Sequence, residues 1–114
     1  MISRLDTIIT NTTYAVGSSH DAVVSRWLVS TVLTGGTYTI KPQKRLTGSG
    51  HAFADCAYTL ALNNSAAGGT AIIAGTTQTT NVIMDVEAAG CELQMAVTVA
   101  GGGSLSIGCT PLLG

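Results

Sequence analysis

Two alternating runs in the last quarter of the chain constrain its fold more than any other feature. Between residues 91 and 99 the odd positions carry Cys, Leu, Met, Val and Val, and the even positions carry Glu, Gln, Ala and Thr. After Gly101, Gly102 and Gly103 the alternation resumes over residues 104–109. A period of two places the apolar side chains on one face of a strand. Because glycine tolerates the positive φ of a tight reversal, the stretch predicts a β-hairpin whose two strands pair with each other.

Composition restricts the classes of function that the chain can have. Its 114 residues predict one domain, and 46% of them are hydrophobic while only 10% are charged. Typical soluble domains carry roughly 25% charged residues, so this surface resists self-association and docking poorly. The net charge of −1 gives no basis for expecting nucleic acid or an anionic membrane as a partner. The N-terminal residues lack the apolar core of a signal peptide, so we expect synthesis in the cytoplasm without export.

The rest of the chain predicts strands and turns rather than helices. About eight segments combine alternating apolar residues with turn signals between them, at residues 6–10, 21–33, 35–45, 58–62, 70–74, 81–86, 91–99 and 104–109. This spacing indicates an all-β fold, either a β-sandwich or a small barrel. Of these two we expect an antiparallel, jelly-roll-like β-sandwich of about eight strands. Residues 1–20 are the least regular, and we interpret them as an N-terminal arm or a first strand. Residues 21–114 form the sandwich domain in this interpretation.

Two of these segments carry positional information. The segment 21–33 has apolar residues in both phases, which predicts a central strand covered on both sides: Trp27, Val29 and Leu33 in one phase, and Val24, Leu28 and Val32 in the other. Trp27 is interpreted as a core anchor rather than a sugar-stacking platform. In the segment 35–45, Pro42 cannot donate a backbone hydrogen bond, so the strand is expected to lie at an edge or to stop there.

Three cysteines occur without a CxxC pair, at Cys56, Cys91 and Cys109. This pattern fits neither a disulfide framework nor a zinc site. Cys91 and Cys109 are in phase with the apolar positions of their strands, which favours buried free thiols. A single bridge between Cys91 and Cys109 stays open as the alternative, if the hairpin register brings them opposite each other.

The residues that could support catalysis do not form a convincing constellation. Ser19, His20 and Asp21 have the letters of a hydrolase triad, but consecutive residues in an extended chain point to opposite sides. They are interpreted as a solvated loop. The set of His51, Asp55 and Cys56 could seat a Cys–His nucleophile, but no neighbouring group would form an oxyanion hole. We therefore expect no catalytic residues and no enzymatic activity.

Binding sites for ions and phosphates are equally poorly indicated. The acidic residues Asp85, Glu87 and Glu92 could invite calcium, although a solvated sheet face and turn is the favoured interpretation. The triple glycine joins two strands and opens no helix, so it lacks the geometry of a phosphate loop. We expect no metal and no cofactor. The only basic cluster consists of Lys41, Lys44 and Arg45, which is too small for a nucleic-acid groove and suits a docking contact or a solvated edge.

The last 55 residues and the segment 27–43 resemble a pattern that recurs among small structural proteins of tailed bacteriophages. The pattern has a "GT-A-I-A-G" strand, an "I/V-x-V-D/E" strand, a "V-T-V" strand, a glycine-rich turn and a final "P/S-L-L-G". These steps correspond here to residues 69–75, 82–87, 97–99, 101–104 and 111–114. The segment WLVSTVLTGGTYTIKPQ is similar to the family's "W-V-x-V-T-G-x-W-x-G-T-V-T-I-x-G" segment. The chain departs from the pattern at Lys41, Pro42 and Gln43, where a small residue and a turn are usual.

The resemblance implies a β-sandwich that decorates the capsid or forms a head spike and binds the major capsid protein on the virion surface. The family pattern contains no catalytic residues to carry over. A carbohydrate-binding module of a phage tail or fibre is the alternative, although such a module needs exposed aromatic side chains and this chain has few.

A surface so poor in charge also predicts assembly. We expect a symmetric oligomer, a homotrimer, because closed rotational symmetry covers adhesive faces without fibre growth. The N-terminal segment is too apolar for a solvated tail, so we expect it to seat the protein on a larger lattice. The candidate interface residues are Ile2, Leu5, Ile8, Ile9, Tyr14, Lys41, Lys44 and Arg45.

Overall fold

The computed structural model describes residues 4–18, 24–63 and 77–113, and the whole of this part is built from antiparallel strands. The nine strands are β1 (Arg4–Ile8), β2 (Thr12–Ser18), β3 (Val24–Thr34), β4 (Thr37–Leu46), β5 (Ala54–Asp55), β6 (Thr59–Asn63), β7 (Val82–Glu87), β8 (Cys91–Ala100) and β9 (Ser104–Leu113). Five of them form sheet A, in the order β1-β9-β3-β7-β6, and four form sheet B, in the order β2-β8-β4-β5. The predicted all-β sandwich is confirmed. The strand predicted at residues 70–74 lies outside the described residues.

The chain passes from one sheet to the other at most of its turns. The connections from β1 to β2, from β3 to β4, from β7 to β8 and from β8 to β9 all cross between sheets A and B. Such alternation wraps the two sheets around a shared core, which is the topology of a jelly roll.

The predicted hairpin of residues 91–99 with 104–109 is wrong. Strand β8 pairs with β2 and β4, and strand β9 pairs with β1 and β3, so the two predicted partners lie in different sheets. The alternation itself is compatible with both arrangements, because a connection that arches over the core also turns two apolar phases toward the same interior. Strands distant in sequence occupy both edges of β8 and of β9, and this long-range pairing leaves no signal in the local pattern.

The core consists of the predicted inner phases. On the two C-terminal strands, Leu93, Met95 and Val97 face Leu105, Ile107 and Cys109 from opposite sheets, and all six side chains are at most 2% exposed. The same alternation buries further side chains of β4 and β7, which are Tyr38, Ile40, Val82, Met84 and Val86. Full burial of each large aliphatic side chain stabilises the fold by about 1.5–3 kcal/mol relative to exposure.

Pro42 neither ends strand β4 nor places it at the end of the sheet, contrary to the prediction. The strand continues to Leu46 and keeps its register with β8, with Pro42 opposite Met95. The Pro42 carbonyl accepts a hydrogen bond from the Cys56 amide, on the side away from β8. Since N–H and C=O of one residue point the same way in a strand, the missing N–H of Pro42 would face the short strand β5. The ladder between β4 and β8 therefore loses no backbone hydrogen bond.

Strand β3 occupies the central position that its composition predicts, between β9 and β7. The prediction that it is covered on both sides is wrong for the single chain. Val29 and Thr31 are fully buried in the inner phase, and Trp27 packs against the core. In the outer phase, however, Val32 is 52% exposed.

The N-terminal segment belongs to the sandwich from residue 4 onward. Strand β1 pairs with β9 in sheet A, and β2 pairs with β8 in sheet B. Ile8 and Val16 contribute to the core. Residues 4–18 therefore supply an edge strand to each sheet instead of an extended arm.

One buried polar network ties the two sheets together. The Thr31 hydroxyl of β3 lies 2.9 Å from the Tyr38 hydroxyl of β4 and accepts a hydrogen bond from the Val82 amide. Tyr38 in turn donates to the Thr80 carbonyl, so each of these buried groups has a partner. The Tyr38 backbone also exchanges two hydrogen bonds with Gln78, which fixes the approach to β7.

Two connections between the sheets touch each other at one end of the sandwich. Gly35 and Gly36 join β3 to β4, and the triple glycine joins β8 to β9. A Cβ atom at Gly36 would overlap the Ala100 carbonyl oxygen and lie 2.8 Å from the Gly103 nitrogen. One at Gly103 would overlap the Gly35 carbonyl oxygen. Only glycine allows the two backbones to approach this closely.

We expect Gly36→Ala to lower the free energy of unfolding by about 3–5 kcal/mol, from the left-handed backbone penalty together with the displaced backbone of Ala100. Gly102→Ala is the matched control, because Gly102 has a similar φ of 73° but no heavy atom within 4 Å of the position that a Cβ would take. It should cost only about 1–2 kcal/mol. Urea denaturation of both variants measures the difference, and equal losses would contradict the close contact.

Candidate functional site

The outer face of sheet A is apolar and weakly charged. Its outward positions, which we call the sheet-A face, include four aliphatic side chains, Leu5, Leu28, Val32 and Ile83, among the small residues Ser30, Ser106, Gly108 and Thr110. The face also carries charged side chains on β3 and β7, and these are compensated, since Arg26 lies 3.0 Å from Asp85 and Glu87 pairs with Lys44. Sequence analysis did not identify this surface, although the apolar outer phase of β3 was its signal.

A hollow of about 380 Å³ lies in the middle of the sheet-A face. The strand register places Leu5, Gly108, Ser30 and Ile83 in one row across four strands. Gly108 and Ser30 form a low floor between two aliphatic side chains, and Leu28 borders the hollow along β3. The arrangement can accept an apolar side chain from another protein.

The outer face of sheet B is polar instead. Threonines, glutamines and the ion pairs of β4 and β8 line it, and the Gln94 amide donates to Gln43, whose own amide donates to Asp55. One hollow of about 570 Å³ lies over Ala96 between Thr13 and Thr39. A smaller one of about 240 Å³ is bordered by Phe53, Glu92 and Gln94.

The basic residues Lys41, Lys44 and Arg45 do not form a joint patch. Lys41 pairs with Asp55 at 3.5 Å, and Lys44 reaches across to Glu87 of sheet A at 3.3 Å. Arg45 pairs with Glu92 at 2.5 Å and lies over the Phe53 ring at 4.4 Å. Each cation is thus neutralised within the chain, which leaves little positive charge for an acidic neighbour.

The N-terminal candidates divide between core and surface. Ile8 is buried and belongs to the core, because it falls in the inner phase of β1, so it is not an interface residue of the folded chain. Leu5 and Ile9 are 73% and 68% exposed, the two largest values among the large hydrophobic side chains that the structure describes. Ile2 lies outside the described residues.

Tyr14 of β2 joins the two edge strands β1 and β2. Its hydroxyl donates a hydrogen bond to the Asp6 carboxylate and accepts one from Arg4 Nε at 3.0 Å. Arg4 and Asp6 also form an ion pair at 3.3 Å, and Arg4 donates to the Ala15 carbonyl. Burial, together with the hydrogen bond to Asp6, raises the pKa of Tyr14 well above its ordinary value. This junction was not anticipated from the sequence.

The described candidates for catalysis have other partners or unsuitable surroundings. His51 lies exposed in a loop, and its carbonyl accepts a bond from Arg45. Asp55 is occupied by Gln43 and Lys41, and the hydrogen bond from Gln43 is the main cause of its lowered pKa. Burial raises the pKa of the Cys56 thiol, the opposite of what a nucleophile needs. Ser19, His20 and Asp21 lie outside the described residues.

Each of the acidic residues considered for calcium pairs with a different basic side chain. Asp85 pairs with Arg26, Glu87 with Lys44 and Glu92 with Arg45. The hydrogen bond from the Ala89 amide, reinforced by Lys44, lowers the pKa of Glu87. Within residues 4–18, 24–63 and 77–113, no three His, Cys, Asp or Glu side chains are grouped to hold a metal ion.

Cys56, Cys91 and Cys109 form no disulfide within the described residues, as predicted for Cys91 and Cys109. Cys109 is buried in sheet A, and Cys91 is half-buried in sheet B, so the alternative bridge between them does not form. Burial also raises the pKa of Cys109.

Trp27 packs against the core as predicted, and a Cβ at Gly17 would lie 2.5 Å from its ring, so this glycine makes room for the indole.

Comparison with known proteins gives no match: no family model, no curated protein and no solved structure is similar enough to the chain to be paired with it. No helix in the described part of the chain has the length and apolarity that crossing a membrane requires.

We expect Tyr14→Phe to lower the free energy of unfolding at pH 7 by about 1–2 kcal/mol, because it removes hydrogen bonds to two charged groups. The folded-state pKa of Tyr14 is raised, so its contribution is complete below the unfolded value of about 10 and is lost as pH rises beyond it. The difference between wild type and variant in urea denaturation should therefore shrink between pH 7 and strongly alkaline solution. A constant difference would contradict the assigned role of the phenol.

Proposed function

We propose that the chain is a non-enzymatic structural protein of a bacteriophage virion, a head decoration or head-spike module that binds the lattice of the major capsid protein. The observation that carries the proposal is the sheet-A face, an apolar surface with compensated charges on a protein that is only 10% charged. Exposed apolar surface of this kind is typical of contacts between proteins and suits a part of a larger assembly. The contact with the lattice itself is assigned to Ile9, outside the sheet-A face.

The topology is compatible with this assignment, and the sequence resemblance favours it. Jelly rolls build viral capsid domains and lectin domains, so the fold alone selects neither class. The resemblance of the last 55 residues to phage structural proteins favours the virion. The protein would then be made in the host cytoplasm and assembled onto the capsid surface, with no nucleic acid or membrane as partner.

The exposed side chains of the N-terminal segment are suited to seat the protein on the lattice. Ile9 projects from the connection between β1 and β2 at one end of the sandwich. Because residues 4–18 form strands of both sheets, deleting them would remove part of the fold as well as a contact. A single substitution at Ile9 is therefore the sharper probe of seating.

The test uses virions of a phage that encodes the chain. We expect mass spectrometry of purified virions to detect it, and particles that lack its gene to bind the added protein in gradient co-sedimentation. Ile9→Asp should weaken this binding at least about tenfold, since it places a charge in an apolar contact. Thr98→Asp, at an exposed position of sheet B, is the matched control. Virions without the chain would overturn the proposal, and equal binding by Ile9→Asp would overturn the assigned seating.

A glycan-binding module is the second candidate, and one specific observation favours it. The smaller hollow on sheet B combines the Phe53 ring with the Gln94 amide and the ion pair of Arg45 with Glu92. An aromatic face beside planar polar groups is suited to a sugar ring. Trp27, by contrast, packs against the core and is not such a platform.

A glycan array discriminates the two candidates. Selective binding by the wild-type chain that is lost in Phe53→Ala and kept in Thr98→Asp, with unchanged melting temperatures, would support the module. We expect no selective binding if the virion assignment alone is correct.

A further inference from the structure

The sequence of β3 is that of a strand buried on both sides, whereas one chain covers one side only. Its outer phase carries Leu28 and Val32, and Val32 is 52% exposed. Ile83 of the neighbouring strand β7 and Leu5 of β1, on the far side of β9, continue this surface. Something with an equally apolar surface is therefore needed to cover the sheet-A face.

The face carries a projection and a hollow side by side. Leu5 is 73% exposed and stands at one end of the row that continues through Gly108, Ser30 and Ile83. The hollow of about 380 Å³ occupies the centre of that row, where Gly108 has no side chain. The same surface thus supplies both parts of a knob-and-hole contact.

The charges on this face select against a charged partner. Arg26 and Asp85 neutralise each other at 3.0 Å, and Arg4 at the rim of the hollow is paired with Asp6. A second copy of the chain brings the same neutral surface, and the net charge of −1 causes little repulsion between copies.

We propose that the sheet-A face binds a second copy of this chain across a two-fold axis, with Leu5 of each copy inserted into the hollow of the other. The inference rests on the proposed function only in taking this face as a contact between proteins. The two longer dimensions of the molecule, 38 and 29 Å, accommodate the roughly 800 Å² per partner of a standard interface.

The geometry favours a dimer over the trimer expected from composition. In a ring of three, each contact joins two different surfaces, whereas a two-fold contact joins one surface to itself. Since the projection and the hollow lie on the same face, the contact that fills both is the two-fold one.

Sedimentation velocity of the purified chain over a concentration series tests the association. We expect a reversible dimer, and at least about a tenfold weaker association for Val32→Asp, which places a charge in the apolar contact. Thr98→Asp, on the opposite sheet, should associate like wild type. Circular dichroism and melting temperature establish that both variants remain folded. A wild-type monomer at all concentrations, a trimer, or equal association of Val32→Asp would each overturn the inference.

The sedimentation experiment uses the free protein, so its outcome is separable from the virion assignment. A dimer formed through this face in a chain absent from virions would uphold the inference and overturn the proposed function. A monomer that binds capsids would do the reverse.

Discussion

The contact between two glycine connections governs how the sandwich can be built. Gly36 and Gly103 bring the backbones of the β3–β4 and β8–β9 connections together at distances that a Cβ atom would prevent. Each of these connections leads from one sheet to the other, so their contact sets the spacing of the sheets at that end.

How far sequence predicts this fold follows from what a local pattern contains. A period of two reports which side chains face the core, and the phases of Leu93, Met95, Leu105 and Ile107 were right for that reason. The pattern does not report which strand lies alongside, because a hairpin and an arch over the core need the same alternation and the same glycines. The hairpin prediction failed at this point. The prediction from Pro42 failed for a related reason. Which backbone hydrogen bond a proline removes depends on which neighbouring strand its missing N–H would face, and the sequence does not show that neighbour.

The prediction of the candidate surface succeeded and failed for the same reason. The residues picked for their apolar character near the N-terminus included Leu5 and Ile9, which are exposed, and Ile8, which is core. Only the register distinguishes them. Cations chosen for their proximity in sequence proved to be paired with acidic residues of β5, β7 and β8. The apolar outer phase of β3 was visible in the sequence, but it was assigned to coverage within one chain rather than to a partner.

The position of β9 also determines when sheet A can be completed during synthesis. Residues 104–113 lie between β1 and β3, two strands that leave the ribosome far earlier. Until β9 arrives, both of those strands have an unpaired edge, and sheet A has a gap between them. Such edges invite pairing with other chains, and a chain with few charges has little to oppose it. Folding dominated by pairs so distant in sequence is also slow. The nascent chain is therefore open to such pairing in the interval before β9 is made.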